Sequence, residues 1–222
     1  MNFIELSSGK TVEGDEIKVF RSDKKSKEYI YLIAGVHGDE PEGVYVLKKL
    51  VHWLEEDEQI DIPLIIIPTL NIDGLRNNSR VNSNGVDLNR NLPSSNWSST
   101  ARERKYFPGQ TPLSEPENIF LDKLFQKFPP KLILSFHAWK PFINYNGNGE
   151  KIANFLANYN GYEICAEIKN HPTPGSLGEY VPEKYGAAVI TFEFPEHTEL
   201  SMEEIWLQNE MGLKELLKSD LI

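Results

Sequence analysis

One cysteine in 222 residues gives Cys165 no partner within its own chain, so a disulfide framework and a thiolate-built zinc site are both excluded. Long apolar runs are missing too. No stretch approaches the roughly 20 residues that a membrane-spanning helix needs, and "MNFIELSSGK" has neither the basic start nor the apolar segment of a secretory signal. The expected location is the cytoplasm. Positive charge is in short supply, since 23 basic against 33 acidic residues leave a formal net charge of −10. That sign disfavours nucleic acid and anionic membrane as partners, because both reward a basic face. It leaves room for an acidic small substrate, since a few local arginines can dominate one pocket. Repeats, low-complexity tracts and Pro/Gly/Ser-rich linkers are also lacking, which points to one domain over residues 1–222.

What is present is an alternation of short apolar runs with amphipathic ones. "YIYLIAGV" (29–36), "PLIIIPTL" (63–70), "KLILSFHA" (131–138) and "AAVITFEFP" (187–195) read as buried strands, the second ended by the turn-forming "NIDG". "PEGVYVLKKLVHWLEE" (41–56) places Val44, Leu47, Val51 and Leu54 at helical spacing, with Pro41 suited to a first turn. Residues 114–128, 149–159 and 201–218 read as further helices. Ser114 is the expected cap of the first of these, matched by Glu117 three residues on, and Ser201 caps the last. Strands that are apolar throughout and alternate with helices indicate an α/β sheet covered on both faces.

In such sheets ligands gather beyond the strand ends, and the chemically capable residues of this chain sit there. His37 and Glu40 follow one strand, His137 lies at the end of another and Glu193 near the end of a third. A catalytic zinc site keeps three protein ligands, two of them commonly close in sequence. His37 and Glu40 form such a close pair in a turn where Gly35, Gly38 and Gly43 permit unusual backbone angles, and His137 is a candidate third. Taken alone, the pair is equally well a polar turn. Of the remaining histidines, His52 is expected on a helix, at the surface or half-buried, while His171 and His197 are loop residues and candidate substrate contacts. Asp39 and Glu42 are expected to be surface acids.

Glu193 stands inside "VITFEFP", where an acid is costly unless it is paired or working. Either strand alternation turns it to solvent, or it acts as a general base on attacking water. "VDLNRN" contributes Asp87, Asn89 and Arg90. An arginine fork matches a carboxylate bidentately, with an asparagine amide as an added donor. Arg80 is suited to a developing oxyanion, and Asp87 to the free ring nitrogen of a ligating histidine. Any one of these residues alone would pass for part of a hydrophilic loop.

HxxE after an apolar strand, then an arginine followed by "VDLNRN", then "SFHA" and "TFEFP", in that order, resembles the zinc carboxypeptidase family of the carboxypeptidase A type, over residues 30–195. The resemblance implies one zinc per chain on His37, Glu40 and His137, with Glu193 as general base and acid. It implies that Arg90 and Asn89 hold the substrate's terminal carboxylate, that Arg80 polarises the scissile carbonyl, and that Asp87 supports His37. The implied fold is a mixed, twisted sheet of about eight strands with helices on both faces. Within the family, "NSNGVDLNRNLP" followed by "NW", "GQTPLSEPE" and "TPGSLGEYVPEKYGAAVITFEFP" are similar to the compact bacterial murein peptide amidases. That likeness implies a metallopeptidase of cell-wall (peptidoglycan) turnover that cleaves the γ-D-Glu-meso-diaminopimelate bond of a murein tripeptide. "TPGS" (173–176) is the expected substrate-facing loop. Digestive members use a loop tyrosine; Tyr180 and Tyr185 lie in the corresponding region, and neither is given that role. Two other readings stay open. One is an amino-acid deacylase of the aspartoacylase or succinylglutamate desuccinylase type, which shares HxxE, a DLNR-like stretch and a late glutamate. The other is a non-catalytic module that captures peptide termini. Nothing in the sequence indicates an oligomeric state.

Overall fold

A computed structural model describes residues 1–57, 59–168 and 171–222. In chain order its elements are β1 (Phe3–Glu5), β2 (Gly9–Lys10), β3 (Glu16–Ile17), β4 (Phe20–Ser22), β5 (Tyr29–Ala34), α1 (Pro41–Glu56), β6 (Leu64–Ile67), α2 (Ile72–Arg76), α3 (Pro116–Lys127), β7 (Pro130–Trp139), β8 (Phe142–Asn146), α4 (Glu150–Asn160), β9 (Glu163–Cys165), α5 (Leu177–Tyr185), β10 (Ala188–Pro195) and α6 (Met202–Lys218). Eight strands form one mixed sheet in the order β1-β4-β6-β5-β7-β10-β8-β9, and β2 pairs with β3 in a separate hairpin. The four central strands, β6, β5, β7 and β10, run parallel, so their carboxyl ends share one edge.

The central strands are apolar on both faces because both faces are covered. On β5, Ile30, Leu32 and Ala34 enter one core with α1, α4 and α6, while Tyr29, Tyr31 and Ile33 enter the other with α3 and α5. Successive side chains of a strand point to opposite faces, which is why "YIYLIA" needs no polar alternation. Among the described residues, no helix is long and apolar enough to cross a membrane.

Helix α1 begins at Pro41, where a missing N–H costs nothing. Ser201 caps α6 in a reciprocal box with Glu204. Ser114 does not cap α3. That helix starts at Pro116 with Glu115 at the cap position, while the Ser114 hydroxyl donates to Glu115 and accepts from Asn91. Glu117, the expected matching acid, is buried and accepts from Val12 and Asn82 instead. "NIDG" is not a plain turn: Asn71 caps the short helix α2 by accepting from the Gly74 N–H. Helix α5 carries Pro182 in its interior, which removes one backbone hydrogen bond and hides the helix from a periodicity search. His52 is exposed on α1 beside Glu56.

Helices α3 and α5 are joined by a buried polar contact. Asp122 on α3 accepts from the Tyr180 hydroxyl, from Lys184 at 3.0 Å and from Gln126 at 2.6 Å. Burial would raise its pKa, but these donors outweigh burial and hold the carboxyl below its ordinary value. A depressed carboxyl contributes stability that is present above its unfolded pKa and is lost as pH falls through the folded one. Asp122→Asn is therefore expected to lower Tm at pH 7 by about 5 °C. Thermal scans should show the gap to wild type closing as pH drops below the ordinary carboxylate range, and a pH-independent gap would remove the ionic contribution.

Candidate active site

Strands β5, β7 and β10 are neighbours, and all three end in one cleft of about 940 Å³. The turn after β5 delivers His37 and Glu40, β7 delivers His137 two residues before its end, and β10 delivers Glu193 in register with His137. Only Gly35 of the turn's glycines takes a left-handed angle, with φ of +61°. Gly38 and Gly43 are needed for close approach: a Cβ would lie 1.9 Å from the Gly74 carbonyl carbon at the first and 2.5 Å from the Phe136 carbonyl oxygen at the second.

The Glu40 carboxylate lies between the two imidazoles, with Oε1 2.8 Å from His37 Nδ1 and Oε2 2.7 Å from His137 Nδ1. The two Nδ1 atoms are 3.1 Å apart. Each ring is steered by its other nitrogen: His37 Nε2 is 3.1 Å from Asp87 Oδ1, and His137 Nε2 is 3.0 Å from Ser135 Oγ. Both Nδ1 atoms are thereby turned to a common point. All three residues are buried, and their ligand atoms lie within 4.8 Å of one another, close enough to hold one metal ion. Two imidazoles and one carboxylate, with each ring held by a partner on its other nitrogen, form a donor set suited to zinc.

Buried charge here is matched by opposite charge. Burial would raise the Glu40 pKa, yet the two histidines hold it far below the usual carboxylate range. For His37, burial and Arg80 act downward, but Glu40 and Asp87 outweigh them and raise its pKa. In His137 burial dominates and lowers it. Arg80 donates from Nε and a terminal nitrogen to Asp87, both at 3.0 Å, and from Nη1 to Glu40 at 3.3 Å. Asp87 also accepts from the Asn89 N–H at 2.9 Å. Arg80 thus lines the cleft as part of an ion-paired network.

Arg90 differs. It is buried, it lines the cleft, and its Nη1 donates to its neighbour's carbonyl, Asn89 O, at 2.6 Å. No carboxylate lies within salt-bridge distance of it among the described residues. Beside it, Asn89 accepts from the Leu177 N–H through Oδ1 at 2.9 Å, which leaves its NH2 group as the donor. Glu193 is half-buried and lines the cleft, and its Oε2 is buried with no partner among the described residues. Burial, then the nearby Glu40, raises its pKa well above the usual value, against the pull of Arg80 and Arg90.

Thr173 and Ser176 of the "TPGS" stretch, together with His171 and His197, also line the cleft. Tyr180 does not: it is buried in the α3–α5 core, bonded to Asp122. Asp39 is exposed as expected, but Glu42 is a buried residue rather than a surface acid. Its carboxylate accepts from the His197 N–H at 2.7 Å and lies 2.6 Å from that ring's Nδ1, because the first turn of α1 is roofed by the chain leaving β10. Tyr106 was not foreseen. It lines the cleft, and the charged groups of Arg80, Arg90, Arg102 and Lys105 lie 5.1–5.7 Å from its ring centroid. The tyrosine at the end of the basic "RERKY" run was the available signal.

A parallel-centred sheet with a buried His, Glu, His cluster at its carboxyl edge is an α/β fold with a candidate metal centre. The zinc carboxypeptidase family model matches residues 3–200, and the chain belongs to that family, whose members hydrolyse peptide bonds. Murein peptide amidase A of Escherichia coli K12 is 30% identical over 198 residues, covering 84% of this chain and 79% of the relative. The crystal structure of the murein-tripeptide amidase of Escherichia coli O157 superposes with a TM-score of 0.77 at 27% identity, covering 98% of this chain and 93% of that one. Carboxypeptidase A of Helicoverpa armigera, at 18% identity with a TM-score of 0.79 over 98% of this chain and 69% of its own, shares the fold.

Removing one member of the buried network tests its balance. Asp87→Ala removes the doubly bonded partner of Arg80 and the Nε2 partner of His37, leaving Glu40 as the acid they still share, and should destabilise the metal-free protein by about 3–5 kcal/mol in urea titration. A change below about 1 kcal/mol would mean that Arg80 is satisfied elsewhere.

Proposed function

We propose that this chain, acting as one catalytic unit over residues 1–222, is a zinc-dependent amidase that cleaves an amide bond beside a free carboxylate. The substrate we assign is the γ-D-Glu-meso-diaminopimelate bond of a murein tripeptide met in the cytoplasm during cell-wall turnover. The observation that carries the substrate class is Arg90, a buried guanidinium facing the cleft without a carboxylate partner. Desolvating a cation is costly unless an anion compensates it, and a substrate carboxylate would. The likeness to murein peptide amidases supports the choice of peptide.

His37, Glu40 and His137 would hold one zinc ion per chain. When bound, the ion supplies Lewis acidity for hydrolysis. The chain's own residues do the rest. Arg90 takes the terminal carboxylate through its fork, and the Asn89 amide adds a donor beside it. That anchoring sets the scissile carbonyl toward Arg80, whose guanidinium meets the negative charge that develops on the carbonyl oxygen. Glu193 takes a proton from the attacking water at its carboxylate and returns it to the leaving amine nitrogen as the C–N bond breaks. Asp87 fixes the His37 ring and shares Arg80.

Incubating zinc-loaded protein with L-Ala-γ-D-Glu-meso-diaminopimelate should release free diaminopimelate, and a chelator should stop the release. An inert, fully metallated protein would sink the substrate assignment. Glu193→Gln should keep its zinc, measured by elemental analysis, while turnover drops by about a hundredfold or more; unchanged turnover would take the proton-transfer role away from Glu193. Arg90→Lys keeps the charge but loses the fork, so KM should rise by about tenfold with little change in kcat. An unaltered KM would place the substrate carboxylate elsewhere.

A further inference from the structure

Glu42 has no place in the chemistry above, yet its burial demands a reason. It is 2% exposed, with Oε1 engaged by His197 and Oε2 buried without a partner among the described residues. Leaving a buried carboxylate oxygen without a hydrogen-bond partner at the wall of the cleft is destabilising, so a compensating gain from the residue's position is to be sought.

The geometry of the first turn of α1 shows what that is. Glu40, immediately before the helix, stands between His37 and His137. Gly43, one residue past Glu42, lets the helix close onto the backbone of Phe136, which is adjacent to His137. Glu42 itself grips the chain leaving β10, through both the backbone N–H and the ring of His197, four residues after Glu193. One helical turn therefore touches the ends of all three strands that supply the cleft. On the β10 side the sheet gives no help beyond Pro195, the last residue in register with β7, and proline has no N–H to extend a ladder. The Glu42–His197 contact takes over where the ladder stops.

We propose that Glu42 is a positioning residue for Glu193, a clasp that fixes the end of β10 against α1 and so sets the reach of the Glu193 carboxylate into the cleft. The proposal rests on the proton-transfer role assigned to Glu193. Misplacing a reacting group by a fraction of an ångström lowers the rate of the chemical step without touching substrate capture, and capture lies with Arg90 and Asn89 on another segment.

The test pairs kinetics with amide hydrogen exchange on the zinc-loaded, full-length protein. Glu42→Ala should lower kcat by about ten- to a hundredfold, with KM within about twofold of wild type. Zinc content should be retained, and exchange over residues 196–200 should be faster. Glu42→Gln keeps an acceptor oxygen of the same reach and should restore most of both the turnover and the protection. His197→Ala removes the half-exposed ring but keeps the backbone donor, so it should fold normally and give an intermediate loss. Unchanged exchange over 196–200 in Glu42→Ala overturns the clasp, and so does a fall in zinc content that accounts for the lost turnover. If wild type leaves the tripeptide intact, the substrate assignment fails while the exchange data still decide whether the clasp exists. If wild type turns over normally and exchange does not respond to Glu42→Ala, the clasp fails and the assigned reaction stands.

Discussion

Three parallel strands ending side by side set the distances in the cleft. Neighbouring strands lie about 4.8 Å apart, so groups carried at equivalent heights on β5, β7 and β10 arrive within reach of one small ion or one reacting atom. Register then decides which groups arrive. Glu193 opposes His137 directly, and the turn after β5 folds back so that Glu40 lies between the two imidazoles. The apolar faces of the amphipathic helices matter to the chemistry because they pack against this sheet. They bury both faces of the strands and leave only the carboxyl ends open to the cleft.

Charge is distributed by the same economy of space. Glu40, Asp87, Arg80 and His37 are all buried or nearly so, and each has an opposite partner at 3.3 Å or less. A closed network of that kind tolerates desolvation because every charge meets another. Arg90 stands just outside it, with its guanidinium 5.7 Å from the Tyr106 ring centroid, and burial lowers its pKa despite the help of Asp87. The cleft is therefore electrostatically incomplete on one side. In a chain with a formal net charge of −10, that local reversal of sign is what makes an anionic substrate reasonable.

The strands that carry the site were legible because they are apolar on both faces, and the runs 131–138 and 187–195 differ from β7 and β10 by only a residue or so at each end. His37, Glu40 and His137 could be picked out because each follows or ends such a run. What escaped notice has physical causes. Helix α5 is interrupted by Pro182, and β8, "FINYN", is short and rich in asparagine. Asn82 and Val12 claim Glu117, so an apparent capping box at Ser114 is something else. Glu42 and Asp39 looked alike in sequence. Only the path of the chain after β10, which roofs one and leaves the other exposed, separates them. Tyr106 lies in a stretch with no periodicity to fix its neighbours, and the nearness of four cationic groups to its ring is visible only in the tertiary structure.

The direct pairing of Glu193 with His137 also bears on how the chain can change in length. Because side chains alternate faces with a period of two, gaining or losing one residue between Ala188 and Glu193 would carry the carboxylate to the opposite side of the sheet, among the helices. The strand would still pair and the core could still fill, so such a protein could fold while being chemically blind. No comparable counting rule binds the stretch from Leu92 to Ser114, which crosses the surface without joining the sheet. Length variation among relatives is accordingly expected to collect in that surface stretch and to spare the six residues that count out the position of the acid.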